Sequence, residues 1–150
     1  MQRNKGFTLI ELLVVIAVIA ILSTIIYASL GAARQKSNDN AIKSGLNQTR
    51  IQADLFYTTN GSYTNVCSLS SDSIIPKGIN AMVLASASKT LPGISVNVNG
   101  EGSSSVRCND TGAGWAAEVP LSNNRYYCVD YTRKGIVTSN SIGETNAFCQ

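Results

Sequence analysis

Few side chains in this 150-residue sequence have the type and spacing to do chemistry, and Glu11 stands out among them. It heads an apolar run, Leu12-Leu13-Val14-Val15-Ile16-Ala17-Val18-Ile19-Ala20-Ile21-Leu22, and no other charged residue follows until Arg34. A carboxylate in such a stretch is costly unless something pairs with it. Histidine is absent, which excludes Ser/His/Asp and Cys/His nucleophile systems and any mixed Cys/His zinc site. No motif supports a serine–lysine pair, and no glycine loop is built for phosphate; the sequence offers no enzyme and no cofactor. Four cysteines, Cys67, Cys108, Cys128 and Cys149, stand at spacings of 41, 20 and 21 with no C-x-x-C pair. That pattern fits two disulfides better than an all-cysteine zinc site. Asp110, Asp130, Asn97, Asn99 and Glu101 could lend oxygens to calcium. Tyr126, Tyr127 and Tyr131, with Arg125, Arg133 and Lys134, could stack on single-stranded DNA. Solvated turns and sheet packing explain both sets more simply.

The element that positions Glu11 is a long helix. Twenty-two residues separate Glu11 from Arg34, and at about 1.5 Å per residue they span roughly 33 Å, enough to cross a bilayer's hydrocarbon core. Arg3 and Lys5 precede the run, so the N-terminus is expected to stay in the cytoplasm. Gly6 closes the polar leader ahead of the apolar residues, so a cut there would release the leader and keep the helix. A secretory signal is removed after its apolar region, and Ser29, Gly31, Ala32 and Ala33 could mark such a site. Its apolar core is only about 7–15 residues long, however, and it leaves Glu11 unexplained. A cut after Gly6 would instead give Phe7 a new α-amino group, cationic near neutral pH.

The stretch Lys5-Gly6-Phe7-Thr8-Leu9-Ile10-Glu11-Leu12-Leu13-Val14-Val15-Ile16 resembles the processing site of type IV pilins and the related pseudopilins of type II secretion. The resemblance covers about a fifth of the chain closely and the rest only in layout. It implies that a membrane prepilin peptidase cuts after Gly6 and N-methylates Phe7, and that Glu11 brings subunits into register in a growing filament. It implies as partners further copies of the chain or other pilins, an inner-membrane assembly platform with its motor ATPase, and membrane lipid before assembly. The chain would sit in a bacterial inner membrane as a single-pass precursor and then in a surface pilus. Two other readings stand beside a pilus subunit: a secretion pseudopilin, and an anchored or secreted binding domain that never polymerises.

The remaining residues supply a head. Without Arg3 and Lys5, ten basic side chains face nine acidic ones, and such a balance gives no electrostatic footprint for nucleic acid. From Arg34 the pattern becomes amphipathic, with Ile42, Leu46, Thr49, Ala53 and Phe56 at helical spacing. One helix is expected from about Phe7 to Thr58, stopped by Asn60-Gly61, where glycine can take the left-handed cap. The expected fold is α+β. A membrane-spanning then amphipathic helix packs on a small antiparallel sheet, as in type IV pilins. The divisions are a leader over 1–6, a transmembrane and filament-core helix over 7–33, and a head over 34–150. Within the head lie a variable loop over about 60–93, a sheet over about 94–138 and a C-terminal tail. Ile74-Ile75-Pro76 reads as a turn, and Ala81-Met82-Val83-Leu84-Ala85 as a short helix or strand. Strands are read at Ile94–Val98, ending in an Asn99-Gly100 hairpin turn, and at Val106–Cys108, Trp115–Val119, Tyr126–Tyr131 and Gly135–Val137. Three cysteine pairings are open; Cys108 and Cys128 on neighbouring predicted strands favour Cys108–Cys128, leaving Cys67–Cys149.

Overall fold

The computed structural model describes residues 6–68, 78–89, 91, 93–101 and 105–150. The turn read at Ile74-Ile75-Pro76, and Arg3 and Lys5, lie outside the described residues. The chain divides into two compact units, Met1–Lys36 and Ser37–Gln150. Helix α1, Leu9–Asn60, contributes to both. In the first unit its large apolar side chains, Leu9 through Leu30, stand exposed, and Gly31 does not interrupt it.

In the second unit α1 shows one face to a core. Ile42, Leu46, Thr49, Ala53 and Phe56 are all buried, as their spacing predicts. Gly61 ends the helix with φ +68°, and its N–H donates to the Tyr57 carbonyl at 2.7 Å. A second helix, α2, runs Asn80–Ala87 over the stretch read as helix or strand. Ile79, Val83 and Ala87, four residues apart, bury one face of it. Gly45 lets it come close, since a β-carbon there would collide with the Ser86 hydroxyl.

Among the described residues five strands follow: β1 (Asn97–Val98), β2 (Arg107–Asp110), β3 (Trp115–Pro120), β4 (Tyr126–Asp130) and β5 (Gly135–Thr138). They lie side by side in chain order. From β2 to β5 the sheet is an antiparallel meander, but β1 pairs with β2 in parallel, so the sheet is mixed rather than antiparallel. The Asn99-Gly100 turn forms, with both residues at positive φ. Among the described residues it closes a single Val98–Glu101 bridge. The partner of β1 is supplied farther on, at Arg107 and Cys108.

Strand alternation sorts the sheet's side chains into two layers. Cys108, Trp115, Ala117, Val119, Tyr127 and Val129 join the helices in the main core. Ala116, Cys128, Ile142 and Cys149 form a second apolar layer on the other face. The helices cover one face; the segment after β5 folds back over the other, and β3 is buried along both.

The two layers also correct the disulfides. The bridges are Cys67–Cys108 and Cys128–Cys149, with Cα atoms 5.5 and 5.8 Å apart, not Cys108–Cys128 and Cys67–Cys149. Strand β3 lies between β2 and β4, so Cys108 and Cys128 are two strand spacings apart, about 9.5 Å. A disulfide reaches only about 6.8 Å between Cα atoms. Register adds a second bar. Cys108 opposes Ala117 and then Val129, whereas Cys128 opposes Glu118 and then Arg107, which puts the two sulfurs on opposite faces.

Candidate functional site

The residues read as the processing and registration site lie at the start of α1. Residues 6–8 are irregular and the helix begins at Leu9. The Gly6–Phe7 bond therefore lies outside the helical hydrogen bonding. Gly6 has no positive φ and a β-carbon on it would meet nothing. Among the described residues, this chain's own packing gives no reason for a glycine there. Phe7 is 84% exposed.

Glu11 is not idle. The Thr8 backbone N–H and the Thr8 hydroxyl both donate to Glu11 Oε2 at 2.8 Å, and the Glu11 N–H donates back to Thr8 Oγ1 at 3.3 Å. This is a capping box, in which a threonine and a glutamate three residues on satisfy each other's free amides. A carboxylate in the first turn also suits the positive end of the helix dipole. Both Thr8 bonds fall on Oε2, leaving Oε1 without a partner among the described residues. Thr8 was missed as a site residue, although the Thr-x-x-Glu spacing ahead of an apolar run is its sequence signal.

Behind this cap α1 presents a charge-free surface long and apolar enough to cross a membrane, none of it buried. The description Prokaryotic N-terminal methylation motif matches residues 1–27. Its N-terminal segment is thus similar to that of type IV pilins. Over 65 residues the chain is 45% identical to a Thermus thermophilus protein, the Type IV wide pilus major component PilA4. That match takes in 43% of this chain and half of the relative's length. No solved structure matches.

The head's other candidate clusters are not brought together as ligand sites. Asp110 accepts from the Asn65 and Cys67 amides at 3.2 and 2.7 Å, and its own N–H donates to Asn99 Oδ1. Asp130 accepts from the amides of Thr132, Lys134 and Cys149 at 2.9, 3.2 and 2.9 Å. Both carboxylates are spent on the chain's own donors. Neither sits in a solvated turn as expected, and no cluster of three metal-ligating residues occurs among the described residues. Tyr127 is buried and donates to Asn47 Oδ1 at 3.1 Å, while Tyr131 is exposed. The tyrosines therefore do not form one stacking face.

Proposed function

We propose that this chain is a subunit of a type IV pilus-like filament, cut after Gly6, N-methylated on Phe7 and polymerised through α1. The observation that carries the reading is the capped Glu11, with one carboxylate oxygen unspent, at the head of an exposed, charge-free helical surface. Before assembly, that surface is covered by lipid, with the N-terminus cytoplasmic and the head outside. The divisions at 1–6, 7–33 and 34–150 are then functional ones: leader, anchor and filament core, and head. Processing falls to a prepilin peptidase, and extraction to an assembly platform driven by its motor ATPase. In the filament, neighbouring helices replace lipid. The methylated Phe7 amine of one subunit meets the free Glu11 oxygen of another. An unpaired charge in that apolar bundle costs several kcal/mol, which favours one vertical register over the next. The relative's description as a major pilus component supports a pilus over a secretion pseudopilus.

Glu11→Ala should be inserted and cleaved normally yet be depleted from sheared surface fibres by about tenfold or more, as judged by immunoblot against the membrane fraction. Normal incorporation of the variant would remove the registration role.

A further inference from the structure

The head carries a cleft lined by no residue of α1. It has a volume of about 250 Å³ and lies where the β2–β3 turn, the end of β4 and the C-terminal segment meet. Tyr131 and Phe148 help form its walls and stay 41% and 47% exposed. Thr111, Gly114, Thr145 and Asn146 contribute to the lining, which contains no charged side chain.

The Tyr131 ring is seated and the backbone that carries Phe148 is anchored. The Tyr131 ring lies against Gly114, where a β-carbon would come within 2.6 Å of it, and the Tyr131 N–H donates to the Trp115 carbonyl at 3.1 Å. Phe148 sits between two anchors. On one side Asn109 Nδ2 donates to the carbonyls of Gly143 and Asn146 at 3.1 and 3.0 Å. On the other, Cys149 is bridged to Cys128 and its amide is held by Asp130 at 2.9 Å. Two large rings thus stand partly in water at one cleft rather than being covered by the fold. The side chains of Thr145 and Asn146 make no hydrogen bond among the described residues.

We propose that this cleft binds a neutral carbohydrate, one ring of a longer glycan at a time. The electron-rich face of an aromatic ring attracts weakly positive C–H edges, which a pyranose presents on one side. The free hydroxyl and amide at Thr145 and Asn146 match sugar hydroxyls. A nucleic acid would bring phosphates to a lining with no cation to meet them. A second copy of the chain needs about 20–30 residues a side for a stable contact, and eight line the cleft. The volume falls just short of the roughly 300–1,000 Å³ of pockets that enclose drug-sized ligands, so a ring is gripped on its faces and not engulfed. The site does not depend on the filament reading.

The test uses the full chain in a detergent without sugar head groups, titrated with cellohexaose, maltohexaose, chitohexaose and a dT oligonucleotide, and read by saturation-transfer NMR. At least one hexaose should bind with a millimolar constant. Phe148→Ala and Tyr131→Ala should each weaken it about tenfold or more. Ile51→Ala, which removes an exposed apolar side chain elsewhere on the head, should not. Both cleft variants should retain Cys67–Cys108 and Cys128–Cys149 in peptide maps, so lost binding is not lost folding. The proposal is overturned if no hexaose binds at millimolar concentration, if binding survives Phe148→Ala, or if only the oligonucleotide binds.

Discussion

Glu118→Ala should remove about 3 kcal/mol from the stability of the head, a large share of the roughly 5–15 kcal/mol that holds a domain of this size. Glu118 is fully buried on the face of β3 that the C-terminal segment covers. It pairs with Arg107 at 3.1 Å across the β2–β3 register. It also accepts from the Ser141 hydroxyl and, through Oε2 at 2.9 Å, from the Ile142 amide. Removing one partner of a buried pair leaves the other charge and donors unsatisfied, which costs about 3–5 kcal/mol. Arg107 is 21% exposed and can recover some hydration, so the lower end applies. Urea unfolding of the full chain in detergent, followed by near-ultraviolet circular dichroism, reads the loss. Hydrogen exchange at Ile142 should quicken in the variant. A change below about 1 kcal/mol would mean that Glu118 does not hold the tail.

Paired removal of the disulfides should have effects of similar size but different reach. On the chain-entropy estimate, Cys67→Ser with Cys108→Ser reopens a loop spanning 41 residues and costs about 4 kcal/mol. Cys128→Ser with Cys149→Ser reopens one of 21 and costs about 3 kcal/mol. The first bridge lies in the main core with Val66, Val106 and Trp115, so its loss should lower the whole unfolding transition. The second ties the C-terminal segment to β4 within the smaller layer. Its loss should speed exchange at Ile142 and Cys149 before the core responds. Unreduced peptide mapping gives a direct check, with 67–108 and 128–149 expected. A 108–128 peptide would contradict the two-faced sheet.

What was legible in the sequence follows from periodicity, and what was not depends on contacts distant in the chain. The buried face of α1 could be read because Ile42, Leu46, Thr49, Ala53 and Phe56 repeat at helical spacing, and Gly61 could be read as its stop. The strands at Trp115 and Tyr126 declared themselves by β-branched and aromatic content. The disulfide partners did not, because pairing depends on which strand lies between Cys108 and Cys128 and on the face each cysteine occupies. The parallel β1 edge was hidden for a similar reason. Asn99-Gly100 signals a turn but not which strand the chain meets afterwards. The covering tail was missed because polar residues hold it. Asn109, Glu118 and Asp130 resemble surface positions in a sequence and become buried anchors only once a segment folds over them. At the N-terminus, Gly6, Phe7 and Glu11 were read from the motif, whereas the Thr8-x-x-Glu11 capping signal stood in the same stretch and was passed over.

The most direct measurement is the intact mass and N-terminal sequence of the mature protein from its native host. A terminus at Phe7 carrying one additional methyl group is the expected result. A terminus at Met1 would make the helix a static anchor, and one near Ala33 would make the chain a secreted domain; either would contradict a filament subunit.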